Sequence, residues 1–157
     1  MLYFAYGSNL DPEQIEERCP SNQFKCLALL PGFRLAFTRY SESRRSWVAD
    51  VVEDDASPGV WGVVYDISKE DLKRLDACEG YHGKGKNNAY DRCGTSVFMS
   101  GGEDRPLGVL IYIVSKKSDK EHSPSEDYLC HIISGAEHWE LPKDYVELLK
   151  SCPASKI

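Results

Sequence analysis

Two short segments of the chain carry side chains that could do chemistry together. The first is Tyr6-Gly7-Ser8-Asn9, which breaks the apolar run Leu2 to Tyr6. A glycine directly after a strand lets the backbone turn sharply or take positive φ. Such a turn aims successive N–H groups at one point and makes an anion or oxyanion site. Ser8 and Asn9 add side-chain donors, and a helix starting near Pro12 adds a positive end. An ordinary strand-to-helix turn explains the same spacing. The second segment is Leu75-Asp76-Ala77-Cys78-Glu79-Gly80-Tyr81-His82. Gly80 is placed to end a helix, so Glu79 falls at its negative end, where another negative charge is disfavoured. A glutamate with a raised pKa in that position suits general-base work, and a solvated helix-end glutamate is the plain alternative. Cys78 and His82 open a third reading, a thiolate–imidazole pair for amidase chemistry. Gly80 interrupts the helix between those two, and a core-facing thiol is the alternative for Cys78.

The elements that must position these residues follow from pattern. Asp11-Pro12 supplies an N-cap and a first-turn proline, with Glu13, Gln14, Glu16 and Glu17 behind it. Phe24 to Leu30 reads as a strand, Pro31-Gly32 as a turn, and Phe33, Leu35 and Phe37 alternate as the next strand. Trp47 to Val52 and Val60 to Ile67 are further strands around the turn-rich Ala56-Ser57-Pro58-Gly59. Ser68 with Asp71 resembles a capping box, and Leu72 and Leu75 give the helix its apolar face. Tyr90 to Met99 and Leu107 to Val114 are strands, and helices are expected near Ser125–Glu137 and Pro142–Lys150. Strands in runs, with few helices between them, predict an α+β fold: a small mixed, largely antiparallel barrel or sheet with peripheral helices. One domain over 1–150 is expected, with a fraying tail from Ser151 to Ile157.

Composition narrows the function classes. At 157 residues a domain buries roughly 70% of its unfolded surface, enough for a self-sufficient core. A net charge of -6 argues against a nucleic-acid partner. The local basic group Arg34, Arg39, Arg44 and Arg45 reads as a solvated face. No apolar run approaches the ~20 residues of a membrane span, and Met1 to Tyr6 has no basic leader, so the cytosol is the expected address. Six scattered cysteines without a C-x-x-C pair are read as reduced thiols, mostly buried fillers. His122, His131 and His138 have no neighbours spaced for ligation, and no metal is expected. Trp47, Trp61 and Trp139 fit either core or interface, and a homodimer is compatible with the second.

Taken together, the two chemical segments resemble a known family. Tyr3-Phe4-Ala5-Tyr6-Gly7-Ser8-Asn9-Leu10 is similar to the N-terminal signature of the γ-glutamylcyclotransferase superfamily, which includes AIG2-like and antibiotic-biosynthesis cyclotransferases. Val60-Trp61-Gly62-Val63-Val64-Tyr65 and Leu75-Asp76-Ala77-Cys78-Glu79-Gly80 resemble its next two motifs. Tyr90, Tyr112 and the stretch from Ser123 through Gly135 to Leu141-Pro142 match later ones. The likeness covers nearly the whole chain. It implies a small mixed barrel with flanking helices and release of 5-oxoproline from a small γ-glutamyl conjugate, with no metal or organic cofactor. It implies Glu79 as acid/base and Tyr6, Gly7, Ser8 and Asn9 as the substrate cradle. Tyr90 and Tyr112 would position the glutamyl group through their hydroxyls, with core packing the alternative. An α-ammonium near ~7.8 and a carboxylate near ~4.3 are mismatched by roughly 5 kcal/mol, so a partly desolvated Glu79 with a raised pKa is expected. Between Gly80 and Tyr90 the chain departs from the pattern with a Gly- and Lys-rich insertion, expected to line the site's mouth. Lys84 and Lys86 read as a solvated loop, with selection of an acidic leaving portion as the alternative. A non-catalytic module binding small carboxylates is the rival of the same fold.

Overall fold

The structure is a computed structural model describing residues 1–156, the side chains of 102–104 excepted. Strand β1 (Leu2–Ala5) is buried along Tyr3, Phe4 and Ala5 and leads into a short 3-10 turn, Ser8–Leu10. Helix α1 (Pro12–Arg18) starts as its sequence requires: Asp11 accepts a hydrogen bond from the Glu13 N–H, and Pro12 needs none. Strands β2 (Gln23–Leu30), β3 (Phe33–Ser41), β4 (Ser46–Glu53) and β5 (Val60–Asp66) follow. Helix α2 (Lys69–Cys78) is capped by the Ser68 side chain on the Asp71 N–H. It ends at Gly80, whose φ of 66° is the left-handed conformation that a glycine adopts without strain. Strands β6 (Tyr90–Met99) and β7 (Gly102–Val114) precede helices α3 (Glu126–His138) and α4 (Lys143–Lys150).

Five strands close a barrel in the order β1-β5-β2-β6-β7. All neighbours are antiparallel except β1 and β7, which meet in parallel at Tyr3 and Leu110. The α+β class with a mixed, largely antiparallel barrel is therefore the observed architecture. Two glycines allow its tightest contacts. A Cβ on Gly62 would sit 2.3 Å from the Ala5 carbonyl oxygen, and one on Gly135 in α3 would sit 2.2 Å from the Leu10 carbonyl carbon. The second contact seats α3 directly against the 3-10 turn after β1.

Strands β3 and β4 form a separate hairpin outside the barrel. A bulge between Phe37 and Arg39 shifts its register, which bends the strand and re-aims its side chains. The hairpin is tied down by the fully buried Asp50. That carboxylate accepts bonds from Thr38 Oγ1 (2.7 Å), the Val114 N–H (3.0 Å) and Lys117 Nζ. The three tryptophans pack within the chain, Trp139 donating to the Leu10 carbonyl and Trp47 stacking on His122. The segment after α4, expected as a fraying tail, makes defined contacts in the structure. Ala154 packs on the core, and Ser155 exchanges backbone bonds with Pro124 and Glu126, satisfying an N–H at the start of α3. Ile157 lies outside the described residues. The cysteines are also not mostly buried: only Cys19 is, whereas Cys78, Cys93 and Cys130 are exposed.

Candidate functional site

The 3-10 turn and the end of α2 meet, and they bring Asn9 and Glu79 into contact. Glu79 is the C-cap of α2, its N–H bonded to the Leu75 carbonyl, and its side chain is 14% exposed. Its Oε1 accepts from Asn9 Nδ2 at 3.0 Å and lies 3.5 Å from Arg18 Nη1. Among the described residues Oε2 has no protein partner. Burial raises the pKa of this carboxyl above the ordinary glutamate value. Arg18, the Asn9 bond, Arg44 and Arg39 pull the other way without cancelling that rise.

Asn9 is a hub. Its amide also donates to the Tyr3 hydroxyl (2.9 Å), while its Oδ1 accepts from Gln14 (2.8 Å) and Arg18 (3.0 Å). Gln14 and Arg18 lie one helical turn apart on α1, so a single face of that helix supports both Asn9 and Glu79. All four hydrogen-bonding positions of the Asn9 amide are thereby used inside the protein. The expected side-chain donor to substrate is instead a holder of Glu79.

The chamber in front of Glu79 is small, and five tyrosines supply half of the ten residues that line it. Tyr6, Tyr90 and Tyr112 line it as expected, but their hydroxyl protons are committed elsewhere. Tyr6 donates to the Tyr112 carbonyl (2.6 Å), Tyr90 to the Ala49 carbonyl (2.6 Å) and Tyr112 to Asp76 Oδ1 (2.6 Å). Two further tyrosines were not singled out from sequence. Tyr3 and Tyr128 accept bonds at their hydroxyls, from Asn9 and from the Ala49 N–H (3.0 Å), so each keeps its own proton to give. Burial pushes the Tyr128 hydroxyl up to about 12, which keeps it a donor at neutral pH. Gly7 lines the chamber with φ −111°, so of the sharp turn or positive φ expected there, positive φ is not what it adopts. Its requirement is closeness, since a Cβ would stand 3.2 Å from the Ala49 Cβ. The N–H groups of Gly7 and Ser8 have no backbone acceptor among the described residues.

Beyond Glu79 the chamber widens into a vestibule lined by Arg18, Arg39, Arg44 and Cys78 among others. Arg39 and Arg44 come from the β3–β4 hairpin, so this pair is a cavity wall and not the solvated face read from sequence. Arg34 pairs with Asp54 and Glu121, and Arg45 is exposed. Of the stretch after Gly80, Ala89 lines the vestibule, whereas the Gly- and Lys-rich part from Gly83 to Asn88 is not among its lining residues. Lys84 and Lys86 are exposed, and Asn88 folds the loop on itself through the His82 N–H, the Gly83 carbonyl and Asp91. Cys78 and His82 are both exposed, and among the described residues no hydrogen bond joins them, so the thiol–imidazole pair is not assembled. No cluster of metal-binding side chains occurs among the described residues.

The AIG2-like family model matches residues 59–149, more than half of the chain. Human γ-glutamylcyclotransferase is 35% identical over 153 residues, covering 96% of this chain and 77% of that protein. The mouse protein is 34% identical with the same coverage. A solved γ-glutamyl cyclotransferase structure superposes with a TM-score of 0.88 at 31% identity, over 99% of this chain and 89% of that one. The chain belongs to the γ-glutamylcyclotransferase family. A yeast cyclotransferase specific to glutathione, at 14% identity and a TM-score of 0.60, shares the fold alone.

Proposed function

We propose that the chain releases 5-oxoproline from a γ-glutamyl conjugate, with Glu79 transferring the proton. The observation that carries this reading is a buried carboxylate held through one oxygen by Asn9 and Arg18, with the other oxygen unbonded among the described residues at the chamber wall.

The reaction begins from the free α-amine of the bound conjugate. Its nitrogen attacks the γ-carbonyl carbon, and the carbonyl π electrons move to oxygen. Glu79 takes the proton that the nitrogen loses as the new C–N bond forms. When the carbonyl re-forms, the bond to the original amine breaks, and Glu79 returns the proton to that departing nitrogen. The raised Glu79 pKa narrows the gap between base and amine, which favours the first transfer and leaves Glu79 holding the proton that the departing nitrogen takes. Backbone N–H groups of Gly7 and Ser8, with the Tyr3 and Tyr128 hydroxyls, are the donors available to the substrate's oxygens. A donor aimed at a developing oxyanion is typically worth ~3–4 kcal/mol. Tyr6, Tyr90 and Tyr112, locked by their own bonds, form the rigid wall that folds the glutamyl chain toward ring closure.

No helix among the described residues is long and apolar enough to cross a membrane, and a cytosolic address is part of this proposal. The test is 5-oxoproline release from γ-glutamyl amino acids, γ-glutamylamines and glutathione by wild type and Glu79→Gln, with binding followed by calorimetry. Release by wild type that collapses in the variant while binding persists is the expected result. Equal release by both proteins would remove Glu79 from the mechanism.

A further inference from the structure

The vestibule carries charge that ring closure does not use. Three guanidinium groups, Arg18, Arg39 and Arg44, share this cavity with a single carboxylate, Glu79. The excess is positive in a chain whose net charge is -6. Arg18 is engaged, holding Asn9 and facing Glu79. Arg44 gives one nitrogen to Ser8 Oγ and Gln14 Oε1 and lies 5.7 Å over the Tyr128 ring, which leaves the rest of its fork open. Arg39 has no hydrogen bond or ion pair among the described residues. By contrast, the half-buried Arg34 and Arg92 outside the vestibule both pair with carboxylates. A part-buried arginine without an anion is costly in the free protein and is satisfied when a ligand supplies one.

The fold places this pair deliberately. The bulge before Arg39 turns its side chain toward the cavity, and the tight hairpin end at 42–45 returns the chain so that Arg44 faces the same space. Ser41 and Ser43 stand on the same wall and add hydroxyl donors. In the reading above, the glutamyl group occupies the chamber and the departing amine extends past Glu79 into the vestibule. One carboxylate on that amine would leave the second guanidinium unmatched, whereas two would neutralise both.

We propose, resting on that reading, that Arg39 and Arg44 form a subsite for a leaving amine bearing two carboxylates, so that the preferred conjugate joins γ-glutamate to an acidic amino acid. The pair acts as a selectivity device at the mouth, apart from the proton transfer at Glu79. It also draws such anions toward the site through its local field.

The test separates binding from turnover. Glu79→Gln is titrated calorimetrically with γ-glutamylglutamate and with γ-glutamylalanine. The acidic conjugate is expected to bind about tenfold more tightly, the size of one charge-assisted contact. Adding Arg39→Gln should bring the two within about twofold, Arg39→Lys should retain an intermediate preference, and the preference should shrink between about 50 and about 500 mM salt. Equal binding of the two conjugates, or a preference that survives Arg39→Gln, overturns the subsite. Wild-type release of 5-oxoproline from the same compounds is measured in parallel. A binding preference without any release would uphold the subsite and overturn the cyclotransferase reading instead.

Discussion

The chamber and the vestibule share Ser8, Glu79, Tyr90 and Tyr128 and differ in how the rest of their walls are built. Chamber side chains come mostly from the barrel, the 3-10 turn and the start of α3, with Ala49 from the hairpin, and their polar atoms are largely bound within the protein. Tyr6 and Tyr90 donate to backbone carbonyls, and Asn9 uses every position of its amide. The vestibule draws Arg39 and Arg44 from a hairpin outside the barrel, and their bonding capacity is largely unused. A wall whose dipoles are fixed in advance suits a reaction, because nothing has to reorganise as charge moves. A wall of unmatched cations suits discrimination, because it rewards whichever ligand brings the missing anions.

Variants on either side should break this division in graded ways. Glu79→Gln has the largest expected effect, lowering kcat by about 10²–10⁴-fold with substrate binding retained, as measured by 5-oxoproline release and calorimetry. Gly135→Ala drives a methyl into the Leu10 backbone behind the chamber. It should cost about 3 kcal/mol and lower Tm by about 9 °C in a thermal melt. Tyr128→Phe removes the acceptor of the buried Ala49 N–H, where hairpin and α3 meet. A loss of about 1–2 kcal/mol in urea unfolding is expected, and an unchanged midpoint would mean that the hairpin is held without it.

Charge variants sharpen the comparison further through pH. Arg18 is the strongest of the influences holding the Glu79 pKa down, ahead of Arg44 and Arg39. Removing its cation lets that pKa climb further. Arg18→Gln should therefore move the acid limb of the kcat/KM profile to higher pH. Arg39→Gln should move it in the same direction by less. A downward movement in either variant would contradict the electrostatic picture.

What the sequence made legible follows the same division. The chamber is encoded in contiguous stretches, so Tyr6-Gly7-Ser8-Asn9 and Glu79-Gly80 could be singled out and their elements placed. The Ser68 cap and the Gly80 terminus are local rules obeyed locally. Barrel closure through β1 and β7 joins residues more than a hundred positions apart, and no local pattern announces it. Arg39 and Arg44 looked like a solvated face because a charge group in sequence says nothing about a bulge that turns it inward. Gln14 and Arg18 did leave a signal, two polar side chains one turn apart beside Asn9, whereas Tyr128 sits on an amphipathic helix where a tyrosine reads simply as core.

The account stands most directly on the state of Glu79 in the free protein. Carbon-detected NMR titration of its carboxyl, assigned by loss of the signal in Glu79→Gln, measures that state without substrate. The predicted result is a midpoint above the ordinary glutamate value of 4.5 that coincides with the acid limb of kcat/KM. A carboxyl that titrates at or below that value, while activity falls at a different pH, would contradict the claim that this buried glutamate carries the proton.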